Sequence, residues 1–587
     1  MSRFTARHRS VAVTAAVLLS ASTVMVYGAA ASNAATATPK TGGIINFLTH
    51  QTRLDAMDPA QVYTGRDISF ETAYIIRTLT SFKHVADGSS TTLTPDIATN
   101  TGVPTNNAKD WSFTIRPGVK FDDGKDVTCA DISYGSSRYF AQDVLAPNGP
   151  AYLAQWLNLP ADPKAANGTA YPGPYKATPA QQAIWNKAVS CSADNRTVTF
   201  HLKQSIGDFN YFTTYPTTSP VQKAKDTGAK YDLKVQATGP YMIAENNKTD
   251  LKLVRNPYWT KASDPIRTPY PDQVILQYGL DQEVMDQILL SDSIPNAVGF
   301  DGVLPTNLTK FFGNPSFKGG AYNQLTSFVG YLAFNVKNIP CQQIRAALYY
   351  ARDAKAILDY AGGETYAGSY AQSLVSPLNS TDYAANGVWG PGNSNWKPGG
   401  NVAYAQSLMD QAKTACPADY AKATGAGYTI DVRTSSTLND TIPINVAAWA
   451  RIGIKVQYNI IKAGYYPTIM DPSKQSDIST SGWSQDWPNA STVIPDLYTP
   501  QGGFDLSQNT ADPSYKAFEA KVAAALGNSN RLAQAAQWKA LEKEAAAKFW
   551  VLPTTTTKDQ TAWGTGIGGL YFWLPQATPD YIKLFVK

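Results

Sequence analysis

Asp110-Trp-Ser-Phe-Thr-Ile-Arg116 alternates strictly, with Trp111, Phe113 and Ile115 on one face and polar residues on the other. A strand with one apolar face is stable only when that face lies on a core. Pro117-Gly118 ends the run, because proline cannot donate to a strand ladder. Arg196-Thr-Val-Thr-Phe-His-Leu202 resumes the alternation and is expected to pair with the first strand in a small mixed domain. The whole chain is 587 residues long, too long for one ordinary core, so two or three domains are expected.

Other elements follow from period and punctuation. Residues 40–48 read as a first strand, and residues 70–79 have helical spacing, with Ile75, Ile76 and Leu79 on one side. Thr128 is a plausible N-cap for a helix running to Arg138. Residues 146–180, rich in Pro, Gly, Ala and Asn, read as a long surface excursion. Residues 238–243 and 251–259 form two strands around a polar hairpin. Ile344, Ala347, Leu348, Ala351, Ile357 and Leu358 share a helical face. Residues 376–400 read as a loop, 401–413 and 442–452 as helices, and 428–433 as a strand. Residues 531–549 are a helix by propensity, with Leu532, Ala535 and Trp538 on or near its buried side. Residues 551–553 and 581–586 are strand-like.

The N-terminus carries Arg3, Arg7 and Arg9, then an apolar run from Val11, then small residues through Ala37. That order is expected of an export signal and leader over residues 1–39. The apolar run is short and broken by Ser and Thr, which disfavours a membrane span. The 128 residues before Cys129 contain no cysteine, so no lipid-anchor cysteine follows the leader. The protein is therefore expected to be exported, extracellular or associated with the cell envelope. Removing the leader removes three arginines and no acids, taking the formal charge from +5 to +2 (5 − 3). A nearly neutral chain argues against nucleic acid or anionic membrane as the main partner. Cys129, Cys191, Cys341 and Cys416 are disulfide candidates in an exported chain, with three possible pairings. No metal site and no cofactor is expected.

Ser481-Gly-Trp-Ser-Gln-Asp-Trp-Pro-Asn-Ala490 follows the alternating run Ile454–Ile461 and an irregular segment. Trp483 and Trp487 bracket Asp486, and Pro488 stops the segment from continuing as helix or central strand. Aromatic walls around a fixed anion suit a ligand with an apolar body and a cationic end; a surface loop covering the core edge is the alternative. Signals for a secreted hydrolase are weak. His50, His84 and His201 are in no H-E-x-x-H pattern, and Gly482–Asp486 has Asp where a nucleophile elbow needs its second Gly. Gly564-Thr-Gly-Ile-Gly-Gly569 has no room after it for a βαβ unit, so it is not a dinucleotide site. Sequence spacing does not show whether two carboxylates could work as a glycosidase pair.

Four segments in order carry a resemblance. Asp110-Trp-x-Phe-x-Ile-Arg-Pro-Gly-Val-Lys-Phe-x-Asp-Gly124, Thr238-Gly-Pro-Tyr241 with Leu253-Val-Arg-Asn-Pro-Tyr-Trp259, Ala333-Phe-Asn335 with Ile344–Asp353, and Gly482–Asp486 resemble the dipeptide and oligopeptide solute-binding proteins of ABC importers. The resemblance implies an α/β, two-lobed, periplasmic-binding-protein-like (Venus-flytrap) fold with an additional small α+β domain in the first half. It implies residues 42–83, 235–325 and 548–587 for the first lobe, about 326–547 for the second, and 84–234 for the additional domain. These boundaries favour Cys129–Cys191 and Cys341–Cys416, each pair falling within one domain. Tyr241 and Trp259 belong to the family's structural fingerprint and are expected in the core.

The implied function is capture of a solute, an oligopeptide above all, by hinge closure, with delivery to permease subunits in the membrane. A monomer is expected. Asp486 takes the position of the anion that receives a peptide's ammonium, with Trp483 on the adjacent wall. Trp487 and Ser484 are further candidates, Trp487 equally suited to a core role. An oligosaccharide or another small solute is the alternative ligand.

Overall fold

Two long antiparallel strands, Gly320–Phe334 and Val551–Trp563, run through the centre of the molecule, in register from Gly320 opposite Trp563 to Ala333 opposite Val551. The structure, a computed structural model, describes residues 38–85, 88–145, 151–434, 437–462 and 464–587. The expected leader, apart from its last two residues, lies outside the described residues. No described helix is long and apolar enough to cross a membrane.

The long pair is the middle of an eleven-stranded sheet. On one side lie Ile478–Trp483, Tyr428–Arg433 and Val456–Ile461; on the other lie Ala297–Gly299, Ile44–Leu48, Gln273–Gln277, Asp250–Arg255 and Tyr241–Asn246. Each end of the pair belongs to a different core. Val329, Val551 and Leu552 pack with Ile344, Leu348, Trp389, Trp449 and Trp538. Tyr322 packs with Phe47, Phe70, Tyr241, Leu253 and Tyr581. Between those ends the register shifts twice, from Leu325 to Val329 and from Val329 to Tyr331. Such irregularities bend and twist a strand locally.

The alternating run at 110–116 forms the strand Asp110–Thr114, antiparallel to Thr197–His201 as expected, in a four-stranded sheet with Val103–Thr105 and Val189–Cys191. Trp111, Phe113 and Ile115 are buried in a third core with Phe140, Trp185 and Phe200. The helix Cys129–Arg138 starts at Thr128, whose N–H donates to Asp131 Oδ2 at 2.9 Å. Cys129 is bonded to Cys191 and Cys341 to Cys416, the pairing expected.

Four expectations need correction. The helix expected over residues 70–79 runs instead from Gly65 to Tyr74, so Ile76 and Leu79, though buried, lie beyond its end. Leu532 is 76% exposed. Six residues from Trp538, it lies about 120° round the helix from the buried face set by Ala535, Trp538, Leu541 and Ala545. Residues 146–180 are not only a surface excursion, because Tyr152–Trp156 is a helical turn with Tyr152, Leu153 and Trp156 buried. The flanking Pro and Gly hid that aromatic turn in the composition. Trp259 is only half-buried, its indole N–H satisfied by Asp264 Oδ2 at 2.9 Å.

A buried ion cluster ties the small sheet's side of the chain to the large sheet. Asp96 accepts from Arg77 Nε at 2.8 Å and from Arg267 Nη2 at 2.9 Å, and Asp264 pairs with Arg267 at 3.2 Å. All four side chains are nearly inaccessible. Burial alone would raise the Asp264 carboxyl, but the guanidiniums of Arg267 and Arg77 outweigh it and hold it well below the usual range. Breaking a buried pair leaves an uncompensated charge. Asp96→Ala is therefore expected to cost about 3–5 kcal/mol, read as a fall in the urea midpoint; an unchanged midpoint would show that the cluster does not hold these parts together.

Candidate functional site

The strand Ile478–Trp483 delivers the tryptophan-rich loop from the middle of the sheet, with Trp483 opposite Val329 at the register shift. Pro488 prevents pairing beyond it, and side chains fix the loop instead. Trp483 Nε1 donates to Thr492 O at 2.6 Å, and the Asp486 N–H to Thr492 Oγ1 at 3.1 Å. Arg531 holds Asp382 at 2.7 and 2.5 Å, and Asp382 receives the Ala490 N–H at 2.9 Å. Asn489 Nδ2 donates to Gln534 Oε1 at 2.8 Å.

The two tryptophans do not share a wall. Trp483 belongs to the core around Val329 and packs on Phe504, ring centroids 4.6 Å apart. Trp487 is inaccessible and sits in the core of Trp111 and Phe113, against Tyr152 at 5.1 Å and Trp156 at 6.1 Å. Its indole N–H donates to the buried Asp208 at 2.9 Å. The loop thus crosses from one core to another, and Asp486 sits at the crossing. Ser484 lies beside the register shift, its Oγ 2.5 Å from Ser327 Oγ.

Asp486 is 4% exposed and is held by phenols from elements far apart in sequence. Tyr63 donates to Oδ1 at 2.6 Å, Tyr215 to Oδ1 at 3.2 Å and to the backbone carbonyl at 2.9 Å, and Tyr152 to Oδ2. Burial pushes the Asp486 carboxyl up to about 6, with the three phenolic hydrogen bonds pulling the other way. Asp496, in the helical turn Ile494–Tyr498, is also buried and lies 3.0 Å from the Tyr152 hydroxyl. Burial, then the nearby charge of Asp486, raises its carboxyl well above the ordinary range. Tyr152 and Asp496 stand in the wall of a cavity of about 470 Å³, together with Trp156, Lys203, Ser491 and Glu519.

Sequence reasoning found Asp486 but not its partners. Tyr63, Tyr215 and Asp496 carry no local motif, and Tyr152 lay in a stretch read as surface. The structure also aligns His201 with Asp110, at 2.7 Å, and with Ser190, at 2.9 Å. This line extends the hydroxyl pairs Ser112–Thr199 and Thr114–Thr197 across the polar face of the small sheet, which is what strict alternation places there. The sulfurs of Cys341 and Cys416 lie near Asp419 but are consumed in their disulfide.

Two cores joined through long shared strands, with a buried carboxylate where a loop passes between cores, make up a two-lobed α/β architecture. The profile described as "Bacterial extracellular solute-binding proteins, family 5 Middle" matches residues 92–505. The chain belongs to that family. Among curated proteins it is 25% identical over 487 residues to the glutathione-binding protein GsiB of Salmonella typhi, covering 76% of this chain and 81% of that one. Among solved structures it resembles the clavulanic acid biosynthesis oligopeptide binding protein 2, with a TM-score of 0.81, 23% identity and coverage of 94% and 96%. It also resembles the oligopeptide-binding protein AppA of Bacillus subtilis in complex with a nonapeptide, with a TM-score of 0.66, 16% identity and coverage of 94% and 100%.

The raised carboxyl of Asp486 sets a pH dependence. A folded-state value of about 6 against an ordinary 3.8 means its protonated form favours the fold below about pH 4, and that advantage is lost as pH rises through 6. Asp486→Asn removes the ionisation, so the Tm of this variant minus that of the ligand-free wild type should widen in the variant's favour from pH 4 to pH 7. A difference independent of pH would show that Asp486 does not titrate in this range.

Proposed function

We propose that this receptor captures oligopeptides by their N-terminus, closing two lobes around them, and passes them to permease subunits of an ABC importer. The single observation that carries the reading is Asp486, a buried carboxylate on the loop between cores, held by neutral phenols and paired with no cation among the described residues. The lobes are residues 42–83, 235–325 and 548–587 for the first and about 326–547 for the second, with 84–234 as the additional domain. The register shifts near Val329 give the hinge a place to bend. The relatives named for glutathione and oligopeptides support a peptide over a sugar.

A phenol offers Asp486 a neutral donor, whereas an ammonium offers charge and proton together. Charge-assisted hydrogen bonds are roughly twice as strong as neutral ones. A peptide ammonium replacing one phenol therefore strengthens the hold on the carboxylate and bridges the lobes. Only a ligand that binds the closed form more tightly than the open one can drive closure. Trp483, Trp487 and Ser484 act here through the loop: the first two seat its ends in separate cores, and the third ties it to the hinge at Ser327.

Thermal unfolding of the ligand-free protein with short peptides, free or N-acetylated, tests this. A peptide at 100 times its Kd should add about 2.7 kcal/mol. Stabilisation by free amines alone, lost in Asp486→Ala, is the expected result. Equal stabilisation by acetylated peptides, or unchanged affinity in the variant, would remove Asp486 from the ligand site.

A further inference from the structure

One hydroxyl stands between two buried carboxylates. Tyr152 Oη contacts Asp486 Oδ2 and lies 3.0 Å from Asp496 Oδ2. A phenol has one proton to give. With that proton on Asp486, two lone pairs face each other at Asp496 unless Asp496 is itself protonated and donates to Tyr152 Oη. Asp496 is 1% exposed, and among the described residues neither acid has a lysine or arginine partner. The arrangement is one positive charge short, and a proton on Asp496 meets the shortfall.

Asp496 also differs from Asp486 in what it faces. With Tyr152 and Trp156 it walls the 470 Å³ cavity, and Glu519 adds a second acid, already accepting from Tyr515 at 3.1 Å. Lys203, exposed, is the cation of that wall and forms no ion pair with Asp496. A carboxylate beside aromatic faces is a general means of holding an ammonium or guanidinium.

We propose that Asp496 is a second cation-binding carboxylate of the ligand site, so that the receptor selects ligands bearing two positive charges. The proposal rests on the reading of Asp486 as the anchor for the ligand's amino group. The ammonium goes to Asp486, and a second ammonium or guanidinium goes to Asp496 in the cavity. A peptide whose first residue is Lys or Arg carries both groups on one residue. On binding, the Asp496 carboxylic acid gives its proton to the buffer and the carboxylate pairs with the ligand's side chain. Tyr152 keeps its own proton for Asp486.

Calorimetric titration of the mature protein with Lys-Ala-Ala and with norleucine-Ala-Ala, its uncharged counterpart, tests the proposal. The wild type should bind the lysine peptide about tenfold or more tightly, the usual value of a hydrogen bond to a charged group. In Asp496→Asn the preference for the lysine peptide should vanish. Equal wild-type affinities, or a preference that survives in Asp496→Asn, overturns it. Should that variant not fold, the wild type decides alone. In two buffers of unlike ionisation enthalpy, the lysine peptide should release a proton that the norleucine peptide does not, and equal release overturns the proposal. The diamine 1,5-diaminopentane separates the two readings. If neither tripeptide binds, the peptide reading fails; diamine binding that Asp496→Asn abolishes then supports the two-cation site, and absence of diamine binding overturns it too.

Discussion

The contact between Asp486 and three phenols is the interaction on which the arrangement of this molecule depends. A carboxylate taken out of water without a cation is costly unless its oxygens are well hydrogen-bonded. Tyr63, Tyr152 and Tyr215 supply those bonds from separate parts of the chain, while Asp486 arrives on a loop from the central sheet. Each tyrosine can reach the acid only when those parts are together. The hydrogen bonding of one residue therefore depends on the packing of distant parts of the chain.

Two other features fix how the parts meet. The Asp96–Arg77–Asp264–Arg267 cluster ties the small sheet's side of the chain to the large sheet. The central strands are continuous at both ends and irregular only around residues 325–331. Ser327 and Ser484 lie side by side at that irregularity, so the loop that carries Asp486 is fastened where the strands bend.

Much of the fold was legible in local pattern. Trp111, Phe113 and Ile115 declared a buried strand face by alternation alone, and the disulfide pairing followed once domain boundaries were implied. Asp486 stood out because two tryptophans and a proline mark its loop. Tyr152 did not, because one aromatic turn among Pro and Gly has no period to detect, and Asp496 is a lone acid in a helical turn. Leu532 misled because propensity gives the helix but not the phase in which it meets its core. What was missed is what long-range packing brings together, and no spacing rule encodes it.

Trp487 is buried in an aromatic cage built by Tyr152, Trp156, Phe212 and Tyr215. A ring packed among four aromatic neighbours is held by the area it keeps from water. An aromatic side chain buries about 150–250 Å², so its extraction costs about 4–6 kcal/mol at ~25 cal/mol per Å². The loop that carries Asp486 is thus anchored at this end by an indole that the rest of the site does not use.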